Sequence, residues 1–368
     1  MTPSHQIRVG DCLELLRAMP SESVQCCVTS PPYYGLRDYN VEGQIGLEQT
    51  PAEFIARLVE VFREVKRVLR KDGTAWVNMG DSYASIAGGY APDGSAGKHD
   101  IVSAATRGAV RRGHRRRPHD GYKAKDLMGM PWRLAFALQD DGWYLRQDII
   151  WNKNNPMPES VRDRCTKSHE YIFLLSKSPK YYYDQAAILE PCSPNTHARL
   201  SQAVQDQIGS ERANGGAKSN GDMKAVARKS NGVGWGYDTS SKPRTAGRVK
   251  DNASMDSALA IMPTERNKRS VWTVPTHSFK GAHFATFPPD LIRPCILAGA
   301  PRGGLVLDPF GGAGTTGLVA MQEGRCSVLL ELNPEYAALA QARLDRAWID
   351  GAAQMDMLLD SKKTAAAC

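Results

Sequence analysis

Thr29-Ser30-Pro31-Pro32-Tyr33-Tyr34 brings a hydroxyl, two prolines and an aromatic ring together within one short stretch. It follows the apolar run Val24 to Val28, which reads as a buried strand. Neither proline has an N–H to donate, so the strand ladder stops there and leaves carbonyls unpaired. A free carbonyl, the Ser30 hydroxyl and the Tyr33 ring at a strand's carboxyl end can hold one flat heteroaromatic amine. The oxygens accept the amine hydrogens and the ring stacks on the heterocycle. The same residues also read as a proline-rich turn capping a core strand, because four-residue matches recur by chance.

A second stretch carries chemistry of another kind. Asp308-Pro309-Phe310-Gly311-Gly312-Ala313-Gly314-Thr315-Thr316 lies between the apolar run Leu305 to Leu307 and a helical pattern from Thr316 to Glu323. Closely spaced glycines in such a turn let the backbone approach a ligand. No Gly-Lys-Ser/Thr follows, which argues against a Walker-type phosphate loop. The glycines do not make Gly-x-Gly-x-x-Gly either. Cys326 to Leu330 is the next strand, and it ends in Glu331. An acidic residue about twenty positions past a glycine-rich turn is placed to accept from ribose hydroxyls. A ligand with a ribose, not held by phosphates, fits S-adenosylmethionine. Glu331 can alternatively cap the helix Pro334 to Ala347 through Asn333. Asp11 sits where the first strand, from Ile7, becomes the helix Cys12 to Met19. It can cap that helix or accept from a ligand amine.

The elements that must position these residues have an α/β rhythm. Pro51 to Leu69 is an amphipathic helix, with Phe54, Leu58, Val61, Phe62, Val65 and Leu69 at helical spacing. Lys71-Asp72-Gly73 is expected to end it, before a buried strand from Thr74 to Met79. Pro131 to Leu138 reads as a helix and Trp143 to Trp151 as a strand, followed by the polar loop Trp151-Asn152-Lys153-Asn154-Asn155-Pro156. Tyr171 to Leu175 is a strand whose expected antiparallel partner is Tyr181-Tyr182-Tyr183, across the Lys177-Ser178-Pro179 turn. Pro288-Pro289 opens a helix that reaches Gly299.

Two stretches lack this rhythm. Ser82 to Lys125 is rich in Gly and Ala and then basic, with Arg107, Arg111, Arg112, Arg115, Arg116 and Arg117. Ala186 to Met262 is polar and basic, with isolated Trp235 and Tyr237. Both read as insertions: the first one that touches phosphate or orders on nucleic acid, or a solvated loop, and the second a poorly ordered linker or a second, irregular contact module.

The formal charge of +8 over 368 residues is consistent with a polyanionic partner. No apolar run reaches membrane-spanning length, and Met1 to Arg8 lacks the apolar core of a signal peptide. The eight cysteines, Cys12, Cys26, Cys27, Cys165, Cys192, Cys295, Cys326 and Cys368, form no Cys-x-x-Cys pair and read as reduced thiols. Neither they nor the histidines show metal-ligand spacing, so no metal site and a cytoplasmic location are expected.

With both motifs in this order, the chain resembles the beta-class DNA amino-methyltransferases. In that family a Ser/Asp/Asn-Pro-Pro-Tyr/Phe motif comes first and an Asp-Pro-Phe-x-Gly-x-Gly-Thr-Thr motif lies near the C-terminus. The resemblance covers Ile7 to about Tyr83, Trp132 to Asp184 and His283 to Arg346. It implies a circularly permuted, Rossmann-like, S-adenosylmethionine-dependent methyltransferase fold of α/β class. The sheet would be seven-stranded and mostly parallel, with an antiparallel edge hairpin. It implies that Ser30, Pro31, Pro32 and Tyr33 form the target-base pocket. Asp11, Asp308, Phe310, Gly312, Thr315 and Glu331 would hold S-adenosylmethionine, with a closing helix beginning around His283 to Pro288. Trp151, His169 and Glu170 match weaker family motifs that support the pocket.

On this resemblance residues 1–184 form the catalytic part, with the basic insertion at 82–125. Residues 185–276 form a target-recognition insertion, 277–348 the cofactor part and 349–368 a tail. The implied substrate is double-stranded DNA with its target base flipped out. A Ser at the motif's first position favours cytosine N4 over adenine N6. RNA and protein-amide methyltransferases usually carry the motifs in the reverse order. A cognate restriction endonuclease is a candidate partner; oligomeric state is not legible.

Overall fold

The structure, a computed structural model, describes residues 4–36, 39, 41–84, 122, 123, 125–192, 264–276 and 287–365. The arginines from Arg107 to Arg117, Trp235, Tyr237, Cys368 and the start of the expected closing helix, His283 to Thr286, lie outside them. The chain forms two compact units, one of Met1–Ile188 with Arg269–Cys368, the other of Leu189–Lys268. In the second unit a short strand β6 (Glu190–Pro191) pairs antiparallel with β7 (Glu265–Arg266). Glu190 lies 3.6 Å from Arg266 and 3.1 Å from Lys268.

The first unit is built on one sheet. Its strands are β1 (His5–Val9), β2 (Val24–Thr29), β3 (Leu69–Met79), β4 (Tyr144–Asn152), β5 (His169–Ser176), β8 (Val271–Thr273), β9 (Leu305–Asp308) and β10 (Cys326–Glu331). They lie in the order β1-β10-β9-β2-β3-β5-β4-β8. Strands β1, β10, β9, β2 and β3 are mutually parallel, and β5 runs antiparallel to both β3 and β4.

The helices are α1 (Cys12–Arg17), α2 (Pro51–Val68), α3 (Met130–Asp140), α4 (Pro289–Gly299), α5 (Thr315–Gln322) and α6 (Pro334–Ala365). They cover both faces, as a buried parallel sheet requires. Alternate residues of a strand serve opposite cores. Cys27, Ala75, Val77 and Met79 pack with Phe54, Leu58, Phe62 and Leu134 from α2 and α3. Cys26, Val28 and Trp76 pack with Leu291, Ile292 and Ile296 from α4 and Val319 from α5. Helix α2 starts with a capping box: Thr50 accepts from the Glu53 N–H, and the Glu53 side chain accepts from the Thr50 N–H.

The expected seven-stranded, mostly parallel sheet is present, with β8 added at its edge. Three local expectations need correction. Tyr181 to Tyr183 is not the partner of β5, whose two edges are already taken by β3 and β4. The Tyr182 N–H instead donates to Asp72 O, and the Tyr183 ring stacks on Trp76 at 6.3 Å. The antiparallel pair at that end of the sheet is β4 with β5. Helix α2 ends at Val68, and Leu69 passes straight into extended backbone, so Lys71-Asp72-Gly73 belongs to β3. Helix α6 runs to Ala365, well past Ala347 and into the expected tail.

Candidate active site

Strands β9 and β2 are adjacent and parallel, yet the chain leaves them in opposite directions. From β9 it passes through α5 to β10 on one side; from β2 it passes through α2 to β3 on the other. Such a switch point opens a crevice at the carboxyl ends of the strands, where ligands of α/β sheets bind. Both sequence motifs begin there. The Thr29 hydroxyl at the end of β2 donates to Asp308 Oδ1 at 2.6 Å, joining residues 279 positions apart. The Thr316 hydroxyl, in the first turn of α5, donates to Asp308 Oδ2 at 2.6 Å, and the Phe310 N–H donates to Oδ1 at 3.1 Å.

The crevice is a cleft of about 920 Å³. All ten residues proposed from the sequence line it: Ser30, Pro31, Pro32, Tyr33, Asp11, Asp308, Phe310, Gly312, Thr315 and Glu331. Trp151 and Glu170 line it too; His169 does not.

At the glycine-rich end, Glu331 accepts from the Gly312 N–H at 2.7 Å through Oε2 and from the Asn333 N–H at 2.9 Å through Oε1. Asn333 in turn caps α6 by accepting from the Glu335 N–H. Glu331 thus braces the loop and the helix start together. Asp11 caps α1, accepting from the Leu13 and Glu14 N–H groups at 2.9 and 3.0 Å. Thr315 accepts from Arg343, which also donates to Ala313 O. Gly314 has φ +77°, and a Cβ there would lie 2.8 Å from Ala340 Cβ, so only glycine lets the loop lie against α6.

At the proline end, Tyr33 is clamped. Its hydroxyl donates to Glu170 Oε2 at 2.7 Å. The same carboxylate oxygen accepts from Asn78 Nδ2 at 3.2 Å, while Oε1 accepts from Lys153 Nζ at 2.5 Å. The Lys153 ammonium also lies 4.4 Å from the Trp151 ring centroid. A Cβ on Gly80 would lie 2.8 Å from Tyr33 Cε2, so the ring fills the space a side chain would need. Gly80→Ala is therefore expected to displace the Tyr33 ring and lower turnover about tenfold or more. Overpacking of this kind costs about 1–3 kcal/mol. Steady-state kinetics beside a thermal melt checks this; an unchanged kcat would mean that the ring orientation does not matter.

Burial dominates the electrostatics. It pushes the Tyr33 phenol well above its ordinary pKa, with the Glu170 charge adding to the effect. It raises Asp308 to about 7, although three donors oppose the rise. It also raises Glu331. The lining side chains include four carboxylates, Asp11, Glu170, Asp308 and Glu331, and one ammonium, Lys153, which Glu170 pairs. Among the described residues, an acidic cleft whose one lining cation is already paired with Glu170 suits a cationic nucleoside and disfavours a polyphosphate. The donor set therefore fits S-adenosylmethionine. Among the described residues no His, Cys, Asp and Glu cluster could hold a metal ion, and no helix is long and apolar enough to cross a membrane.

Sequence reasoning named Thr29 in its motif but gave it no role, and it missed Asn78, Gly80, Lys153 and Tyr336, the last of which also lines the cleft. Asn78 carried a signal, a polar side chain inside the apolar run of β3. Lys153 sat in a loop noted only for its polarity.

A mostly parallel sheet with a glycine-rich turn at its switch point and an acidic cleft places the chain in the Rossmann-like methyltransferase class. The profile of the family described as DNA methylase (N6_N4_Mtase) matches residues 24–342. The chain belongs to this family of DNA amino-methyltransferases. It is 46% identical to the type II methyltransferase M.Cfr9I of Citrobacter freundii over 336 residues, covering 91% of this chain and 86% of that one. Its fold is similar to that of the cytosine-N4-specific PvuII DNA methyltransferase, with a TM-score of 0.53 and 19% identity over 92% of this chain and 88% of that one. It is also similar to TTHA0409 of Thermus thermophilus, solved with S-adenosyl-L-methionine. There the TM-score is 0.50 and the identity 21%, over 93% of this chain and 95% of that one. At these identities the two structures speak for fold alone.

Proposed function

We propose that this protein is a site-specific DNA methyltransferase that methylates the exocyclic amine of a flipped base, cytosine N4, using S-adenosylmethionine. One observation carries the reading: motifs 279 residues apart meet in one cleft through the Thr29–Asp308 hydrogen bond. When bound, S-adenosylmethionine supplies a methyl group on a cationic sulfonium. Asp11, Phe310, Gly312, Thr315 and Glu331 would hold it, and Asp308 braces the floor on which they stand.

At the other end the residues serve the base. An amine inside a stacked duplex is out of reach, so the base is extruded at a cost of a few kcal/mol. Stacking on Tyr33 offsets part of that cost. Ser30 Oγ and the Pro31 carbonyl would accept the amine hydrogens and turn the nitrogen lone pair out of conjugation; as the nitrogen gains the methyl and the methyl's bond to sulfur breaks, one amine proton is released to solvent. No cysteine is needed as a nucleophile: Cys12, Cys26, Cys27 and Cys295 are buried, and burial raises the Cys12 and Cys26 thiols to about 12. Rate comes from alignment and fixed dipoles.

Ser30 supports cytosine N4; adenine N6 is the alternative, since both amines present similar geometry. Double-stranded DNA is the partner, the cytoplasm the compartment. The similarity to type II enzymes supports a restriction–modification role with a cognate endonuclease. Sequencing modified bases in DNA from cells expressing the protein tests the reading. The expected result is N4-methylcytosine at one recurrent site. N6-methyladenine there would replace the base assignment, and unmodified DNA would sink the function.

A further inference from the structure

The loop between β4 and β5 carries an apolar side chain that the site just described does not use. Met157 is 84% exposed, yet it lines the cleft that holds Ser30 and Tyr33, which places it at the cleft's lip. Pro156 and Pro158 flank it and fix the backbone on both sides.

The loop is also pinned. The Thr276 N–H donates to Asn155 Oδ1 at 2.8 Å, Asn155 Nδ2 donates to Thr276 O at 3.1 Å, and the Thr276 hydroxyl donates to Asn155 O at 3.3 Å. On its far side Glu159 accepts from Arg164 at 2.6 Å, and Lys167 Nζ donates to Asp81 O at 2.9 Å. Strand β8 leads directly to Thr276 and pairs with β4, so the sheet edge braces the loop. A braced loop that keeps a large apolar side chain in water gains only when a partner buries it. Burial of a Met is worth about one to two orders of magnitude in an equilibrium constant.

We infer that Met157 is the wedge that enters the base stack at the position the extruded base vacates. The inference rests on the DNA methyltransferase reading above. Extrusion leaves an apolar gap between two base pairs, and apolar wedges that fill such gaps include methionine. An unbranched, polarisable thioether adapts to an irregular gap and packs well against rings. Leu36, 55% exposed, also lines the cleft and is the rival for this role.

The test uses two duplexes that carry the mapped target site. In one the target base is paired; in the other it faces an abasic position and is already free to leave the stack. Met157→Ala is expected to methylate the paired duplex at about a tenth of the wild-type rate or less, and the unpaired duplex within about threefold of wild type. Met157→Leu should restore both. Equal losses on the two duplexes, no loss on the paired one, or a loss confined to Leu36→Ala would each overturn the assignment. Methyl transfer by the wild type keeps the underlying reading intact whatever the variant does. Its absence from both duplexes would instead remove that reading.

Discussion

Tyr33→Ala is expected to lower the methylation rate by about two to three orders of magnitude and to leave S-adenosylmethionine affinity within about twofold. The expectation follows from how completely the ring is fixed. Its hydroxyl is held by Glu170, Lys153 neutralises that carboxylate, and the missing side chain of Gly80 makes room for the ring edge. The stacking surface is therefore in place before any base arrives. Removing it takes away the platform and leaves Glu170 and Asn78 facing a void. The residues proposed for the cofactor, braced separately through Glu331 and Asn333, should keep their geometry. Ser30→Ala should behave alike if the proposed role holds, since it removes the hydroxyl that would accept from the amine and that hydrogen-bonds Tyr33. Calorimetric binding of S-adenosylmethionine beside radiolabelled methyl transfer separates the two functions. Parallel loss of binding and transfer would show that the proline motif is not the base pocket.

Asp308→Ala is expected to damage the whole site, not one step. The carboxylate is 2% exposed and accepts from two hydroxyls and one N–H. Truncation strands all three donors in a dry environment, at about 1–3 kcal/mol each. It also uncouples β2 from the glycine-rich loop. A drop in melting temperature together with loss of S-adenosylmethionine binding is the expected result; a stable variant with normal affinity would contradict it.

The same residue predicts a pH dependence. An unfolded Asp titrates near 3.9, whereas burial lifts Asp308 to about 7. The native state therefore holds this proton more tightly than the unfolded chain. The contribution is complete below pH about 4 and is lost as pH rises through about 7. Melts of the wild type should lose stability between those values more steeply than melts of Asp308→Asn. Identical slopes would mean that Asp308 titrates much as it does in the unfolded chain.

The amino-acid order by itself determined the elements and both motifs. The periodicity of Pro51 to Leu69, the apolar run before Ser30 and the glycines after Asp308 each act within a few residues, where backbone sterics and local burial decide. Together with the family resemblance they proposed ten residues, all of which line one cleft. Strand neighbours were less legible. Tyr181 to Tyr183 looked like the partner of β5 because it is close in sequence, but β3 and β4 offered longer edges. The residues that hold the site were least legible. Thr29 meets Asp308 across 279 positions and Tyr33 meets Glu170 across 137. Their donors and acceptors become partners only because the sheet order sets those strand ends side by side. A hydroxyl or carboxylate in a sequence does not say which distant group will share its pocket; the packing of the sheet does.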